Sequence, residues 1–141
     1  MATKTDFTEE EWTALQRGVT GSGMLVSLSD RDFTDSFGEA SAMGKYLAGQ
    51  QVAAASPLVR EIAKAHGTGF GFTTSPDKVR AETMAALQAS TTTLAAKAPE
   101  EVEPYRQLVL GLAQAVADAK SGEKPVEMAM IDEIRGALGG S

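Results

Sequence analysis

Apolar residues in this chain recur every three or four positions, the spacing of one helix face, and nowhere sustain the strict alternation of a strand. That pattern constrains the fold more than any other feature, because helices with one apolar face must bury it against other helices. Punctuation between the apolar stretches agrees. Ser56-Pro57 and Ser75-Pro76 each read as a helix start. The serine oxygen accepts from an orphan backbone N–H, and proline has no N–H to lose at the first helical position.

Six segments follow. The first begins at Thr8, where Thr8 and Glu11 form a capping box, and it ends near Ser29, with Trp12, Leu15, Val19, Ser22 and Val26 on one face. The second runs from about Phe33 to Gln51 and presents Phe37, Ala40, Gly44 and Leu47. The third, Pro57 to His66, offers Leu58, Val59, Ile62 and Ala65, and Gly67 supplies its stop. The fourth, Pro76 to about Ala96, carries Val79, Thr83, Leu87, Ser90 and Leu94. The fifth, from about Pro104 to Lys120, has the clearest stripe: Tyr105, Leu108, Val109, Leu112, Ala115, Val116 and Ala119. The sixth, Val126 to Leu138, shows Met130, Ile131, Ile134 and Leu138 before Gly139-Gly140. The expectation is an all-α, compact bundle of five or six helices with no sheet. It forms one domain over residues 1–141, with residues 1–7 and 139–141 as flexible ends.

Glycines recur on the expected packing faces at Gly18, Gly21, Gly23, Gly38, Gly44 and Gly111. They let helix backbones approach closely, at a cost of about 1 kcal/mol each in helix propensity. The cluster Gly18-Val19-Thr20-Gly21-Ser22-Gly23 is followed by Met24-Leu25, so it lacks the lysine and hydroxyl of a phosphate loop.

Composition narrows the function. With no cysteine, the chain has no disulfide framework, thiolate metal site or cysteine nucleophile, which suits a reducing cytoplasm. A net charge of −6 carries no basic footprint for nucleic acid and gives no attraction to an anionic membrane surface. No apolar run approaches a membrane span, and the N-terminus lacks the basic and apolar regions of a signal peptide. The expected protein is therefore soluble and cytoplasmic, without nucleic-acid or membrane partners.

Two stretches invite a chemical reading. The first is an internal echo, in which a helix ends in an acidic turn and the next begins with carboxylates: Asp30-Arg31-Asp32 before Asp35 and Glu39, and Asp118 before Glu127. Clustered carboxylates suit a hard cation such as calcium or magnesium. The start of an EF-hand loop is present in Asp30-x-Asp32. Asp35 stands where that loop needs glycine, and Ser41 where it needs a bidentate glutamate. Capping and complementing the helix dipole is the competing role for these acids. The second stretch is the glycine-alternating loop His66-Gly67-Thr68-Gly69-Phe70-Gly71 ahead of Pro76. Backbone N–H groups before a helix could hold a small anion, although no βαβ unit precedes them. His66, the sole histidine, suits the end of a helix as a dipole partner, and a general base as the alternative. No Gly-x-Ser-x-Gly elbow is present, and the run Ser90-Thr91-Thr92-Thr93 has no matched base. Glu9-Glu10-Glu11 and Glu100-Glu101 read as helix-start acids.

Phe7-Thr8-Glu9-Glu10-Glu11-Trp12 resembles the opening of small bacterial helical proteins related to the tellurium-resistance TerB-like superfamily. Val116-Ala117-Asp118-Ala119, then a glycine-containing turn, then Val126-Glu127 and Ile131-Asp132-Glu133-Ile134, resembles that group's second acidic helix pair. The resemblance implies an all-helical bundle of pseudo-symmetric halves, linked to stress response and to cation binding. It carries over Asp30, Asp32, Glu39, Asp118 and Glu127 as acidic-site members. Arg31, Lys120 and Lys124 sit inside the two turns and oppose a bound cation. The leading expectation is a non-enzymatic interaction protein that self-associates or binds a partner protein. The alternatives are a divalent-cation-binding stress protein and a binder of a small anionic ligand.

Overall fold

A computed structural model describes residues 3–29, 36–54, 56–64, 75–118 and 125–139. Among them stand six α-helices and no strand: α1 (Glu9–Ser29), α2 (Ser36–Ala53), α3 (Pro57–Ile62), α4 (Pro76–Lys97), α5 (Val102–Asp118) and α6 (Pro125–Ala137). The all-helical reading holds.

The starts form as local chemistry dictates. Thr8 N donates to Glu11 Oε1 at 2.8 Å and Glu11 N donates to Thr8 Oγ1 at 3.1 Å, completing the capping box of α1. Ser56 Oγ accepts from Val59 N, and Ser75 Oγ from Lys78 N, each at 3.2 Å. At the other end of the chain Gly139 closes α6 with φ +75°, a conformation glycine enters without strain.

α5 lies at the centre. Its buried stripe runs Tyr105, Leu108, Val109, Leu112, Ala113, Val116 and Ala117. The other helices bring Leu15, Val19 and Val26 from α1, Leu87 and Leu94 from α4, Ile131, Ile134 and Leu138 from the α6 end, and Leu58, Val59 and Ile62 from α3. The most extensive helix pair is α1 with α4. They run antiparallel, as the facing pairs Glu11 with Lys97, Gly18 with Leu87, and Gly21 with Thr83 show. Arg80 on α4 pairs with Glu133 on α6 across the bundle surface.

Several boundaries and faces differ from expectation. α5 begins at Val102 rather than at Pro104, after a 3-10 turn at Pro99–Glu101. Proline is tolerated there because the first four N–H groups of a helix have no partner within it. α3 ends at Ile62, while the expected start of the second helix at Phe33, together with Ala65 and Ala119, lies outside the described residues. Gly44 was expected on the packed face of α2 and is exposed, with nothing within 4 Å of where a Cβ would stand. Ala115 is only half-buried; Ala113 and Ala117 take the inner positions.

Local bonds place the residues that precede α1. Lys4–Asp6 form a 3-10 turn closed by Thr3 N donating to Asp6 Oδ2 at 2.8 Å. Phe7 is buried, its ring centroid 6.2 Å from that of Trp12. Lys97 Nζ lies 5.7 Å from the Phe7 ring centroid and donates to Glu11 Oε1 at 2.6 Å and to Asp6 O at 3.2 Å. One lysine thus ties the end of α4 to the start of the chain.

Candidate functional site

Two surface depressions and a buried tyrosine anchor are the candidates for a functional site among the described residues. The anchor comes first, because it fixes how α1, α4 and α5 meet. Tyr105 is fully buried, and its hydroxyl donates to Leu15 O at 2.7 Å. Burial drives its phenol well above the ordinary tyrosine range, with the Ser90 hydroxyl opposing the shift. Gly18 makes the room: a Cβ there would fall inside van der Waals contact of Tyr105 Oη and 3.0 Å from Leu87 Cδ2. One turn away Ser22 Oγ donates to Gly18 O at 2.6 Å, so a fully buried hydroxyl is satisfied within its own helix. Thr91 Oγ1 likewise donates to Leu87 O at 3.1 Å, and Ser90 is buried. Within the hydroxyl run of α4, Ser90 thus faces the core, Thr91 bonds its own backbone and Thr92 is exposed.

The first depression is a groove of about 550 Å³ between α1 and α4. Ala14 from α1 and Ala85, Ala86 and Ala89 from α4 supply its apolar lining, of which Ala86 is buried and Ala85 and Ala89 are exposed. Glu9, Glu10, Thr13 and Arg17 line it from α1 and Glu82 from α4, with Arg17 and Glu82 half-buried. On α1 the lining spans residues 9 to 17, about 12 Å at 1.5 Å per residue, or two helical turns. Glu9 and Glu10 stand here for two reasons at once. They complement the positive end of α1, and with Glu82 they leave the groove lining net negative.

The second depression, about 310 Å³, lies where the end of α2, the start of α3 and the start of α5 converge. Tyr46, Gln50 and Ala54 line it from the α2 side, Ser56 and Val59 from α3, and Pro104, Gln107 and Leu108 from α5. The corner is pinned by Arg60 Nε donating to Ala54 O at 2.7 Å and Gln51 Nε2 donating to Ala63 O at 3.2 Å. Beside it Ser56 Oγ donates to the Glu101 carboxylate, which is only 6% exposed. Glu101 stands at a helix start, as expected, directly before α5, and it is also a buried tie between α3 and the turn before α5. Tyr46 is half-buried, and burial pushes its phenol up. Gly111 makes space for it, since a Cβ there would collide with the Tyr46 hydroxyl.

The acidic-turn candidates are distributed as follows. Asp118 is exposed on the last turn of α5 and accepts from Gln114 Nε2 at 2.9 Å. Glu39 and Glu127 belong to α2 and α6, but their side chains lie outside the described residues, as do Asp30 and Asp32 altogether. His66, Gly67, Thr68, Gly69 and Gly71 also lie outside them. Among the described residues, no three His, Cys, Asp or Glu side chains are grouped to hold a metal ion. No described helix is long and apolar enough to cross a membrane.

Both depressions escape sequence reading for the same reason. Each is built from three- and four-residue spacings on separate helices, which look like ordinary surface until the register between helices is known. The alanines at 85, 86 and 89 were the one available signal, an apolar patch beside the buried stripe of α4. Compared with known proteins, the chain matches no family model, no curated protein and no solved structure.

Proposed function

We propose that this protein is a non-enzymatic interaction module, and that the groove between α1 and α4 receives a cationic helix from a partner protein. The observation that carries this reading is a groove lined by four alanines and three carboxylates over two helical turns. Alanines let a second backbone come close, as ridge-into-groove packing requires. Glu9, Glu10 and Glu82 outnumber Arg17, so complementarity favours lysines or arginines on the incoming helix. A second copy of this chain is disfavoured as the occupant, because each copy brings a net charge of −6. A groove of this length gives a small, transient interface rather than an obligate one. The relationship to TerB-like proteins belongs to the same proposal and rests on the two quoted motifs.

The test is titration of an alanine–lysine peptide of roughly 20 residues, long enough to be helical in water, followed by calorimetry. Binding should weaken as salt rises, and by about tenfold in a Glu9→Gln/Glu10→Gln/Glu82→Gln variant. Binding that is absent, or indifferent to both salt and the triple substitution, removes the reading. Sedimentation showing a dimer that survives the triple substitution would replace the cationic helix with a second copy.

A further inference from the structure

The pocket at the α2–α3–α5 corner has a different character from the acidic groove. Charged residues make up 23% of the chain, yet none of the side chains that line this pocket is ionised at neutral pH. Its polar lining comes from the carboxamides of Gln50 and Gln107 and from the Tyr46 phenol. Ser56 contributes little further capacity, because its hydroxyl already accepts from Val59 N and donates to Glu101. Apolar contact comes from Val59 and Leu108, both buried, together with Ala54 and Pro104.

Each of these features selects against a charged ligand. An ion entering the pocket would lose water and meet no opposite charge on its walls, which is costly. A neutral polar molecule meets the reverse situation. Each glutamine carboxamide presents a donor and an acceptor side by side, the complement of another amide edge. The apolar walls accept the face of a ring. The volume, about 310 Å³, sits at the small end of ligand sites and fits a molecule of one or two rings. The enclosing corner is also cross-linked by hydrogen bonds. Arg60 and Gln51 lock the α2–α3 junction, and the Ser56–Glu101 tie holds α3 to the turn that opens α5. A site pre-formed in this way loses little entropy when it is filled.

We infer that this pocket binds a small uncharged ring bearing an amide-like donor–acceptor pair, such as a carboxamide, lactam or ureide. The site is separate from the α1–α4 groove, so either assignment can fail without the other.

The experiment is an ¹⁵N–¹H NMR titration of the full chain with benzamide and 2-pyridone as neutral probes, and benzoate and benzylamine as charged controls. The neutral probes should move the side-chain NH₂ signals of Gln50 and Gln107 and the backbone signal of Ser56, saturably, with Kd on the order of 1–10 mM for ligands of this size. A Gln50→Leu/Gln107→Leu variant keeps the shape and removes the amide edges. Neither residue is buried, so the fold should persist, as the remaining spectrum would show. In that variant the benzamide Kd should rise at least tenfold. The inference is overturned if the neutral probes cause no saturable shift at these residues. It is equally overturned if benzoate binds as well as benzamide, or if the double variant binds benzamide with unchanged Kd.

Discussion

Replacing Gly18 with alanine should destabilise the protein because of a single oxygen atom, and removing that oxygen should reverse most of the damage. In an exposed helix Gly→Ala gains about 1 kcal/mol of propensity. At position 18 the new Cβ would invade the Tyr105 hydroxyl. Relief requires Tyr105 to shift, which costs roughly 1–3 kcal/mol of overpacking and forfeits about 1 kcal/mol from its bond to Leu15 O. The net expectation for Gly18→Ala is a loss of about 1–3 kcal/mol. Tyr105→Phe alone removes the bond and should cost about 1 kcal/mol. With the hydroxyl gone, the nearest atom to the new Cβ is Leu87 Cδ2 at 3.0 Å, the mobile end of a flexible side chain, and the ring carbons lie no closer than 3.7 Å. Gly18→Ala should then be close to neutral in the Tyr105→Phe background, giving a coupling of roughly 2 kcal/mol in a double-mutant cycle. Urea unfolding followed by far-UV circular dichroism and by the emission of Trp12, the only tryptophan, measures all four corners. Additivity of the two substitutions to within about 0.5 kcal/mol would refute the steric account.

Two further predictions follow from the ties at the chain's start and at the α3 corner. Lys97 and Thr8 hold the Glu11 carboxyl below its usual value of 4.5, so their contribution is present above that pH and is lost as the pH falls through the lowered value. Melting temperatures measured between about pH 3 and pH 6 should therefore fall less steeply in Glu11→Gln than in the native chain, and parallel curves would discard the pair as a source of acid sensitivity. Ser56→Ala removes the cap of α3 and strands the buried Glu101 carboxylate, for a combined loss of roughly 2–3 kcal/mol in urea unfolding. A loss under about 0.5 kcal/mol would mean that Glu101 finds water instead.

What the sequence made legible was whatever chemistry is local. Thr8 with Glu11, Ser56 with Pro57 and Ser75 with Pro76 announce helix starts within four residues, and each forms the expected bond. The α4 stripe Val79, Thr83, Leu87, Ser90 and Leu94 is buried at every position, since its period alone decides its face. Residues whose role depends on another helix were opaque. Glu101 reads only as a helix-start acid until Ser56 is brought beside it, and Tyr105 reads as one more stripe residue until Gly18 is placed against its hydroxyl. Gly44 shows no face of its own because four alanines and three glycines among the eighteen residues of α2 blur the contrast between its faces. The two surface depressions belong with these, each needing helices whose mutual register no local rule sets.

The contact between Gly18 and Tyr105 also bears on how this chain can change over time. Neither residue can drift alone without loss, because a larger residue at 18 collides and a residue without a hydroxyl at 105 deprives Leu15 O of its side-chain donor. Lineages that keep the tyrosine should keep the glycine, and those that admit alanine or serine at 18 should already carry phenylalanine at 105. Selection would act on these two sites as one heritable unit, although 87 positions separate them along the chain, counted as 105 minus 18.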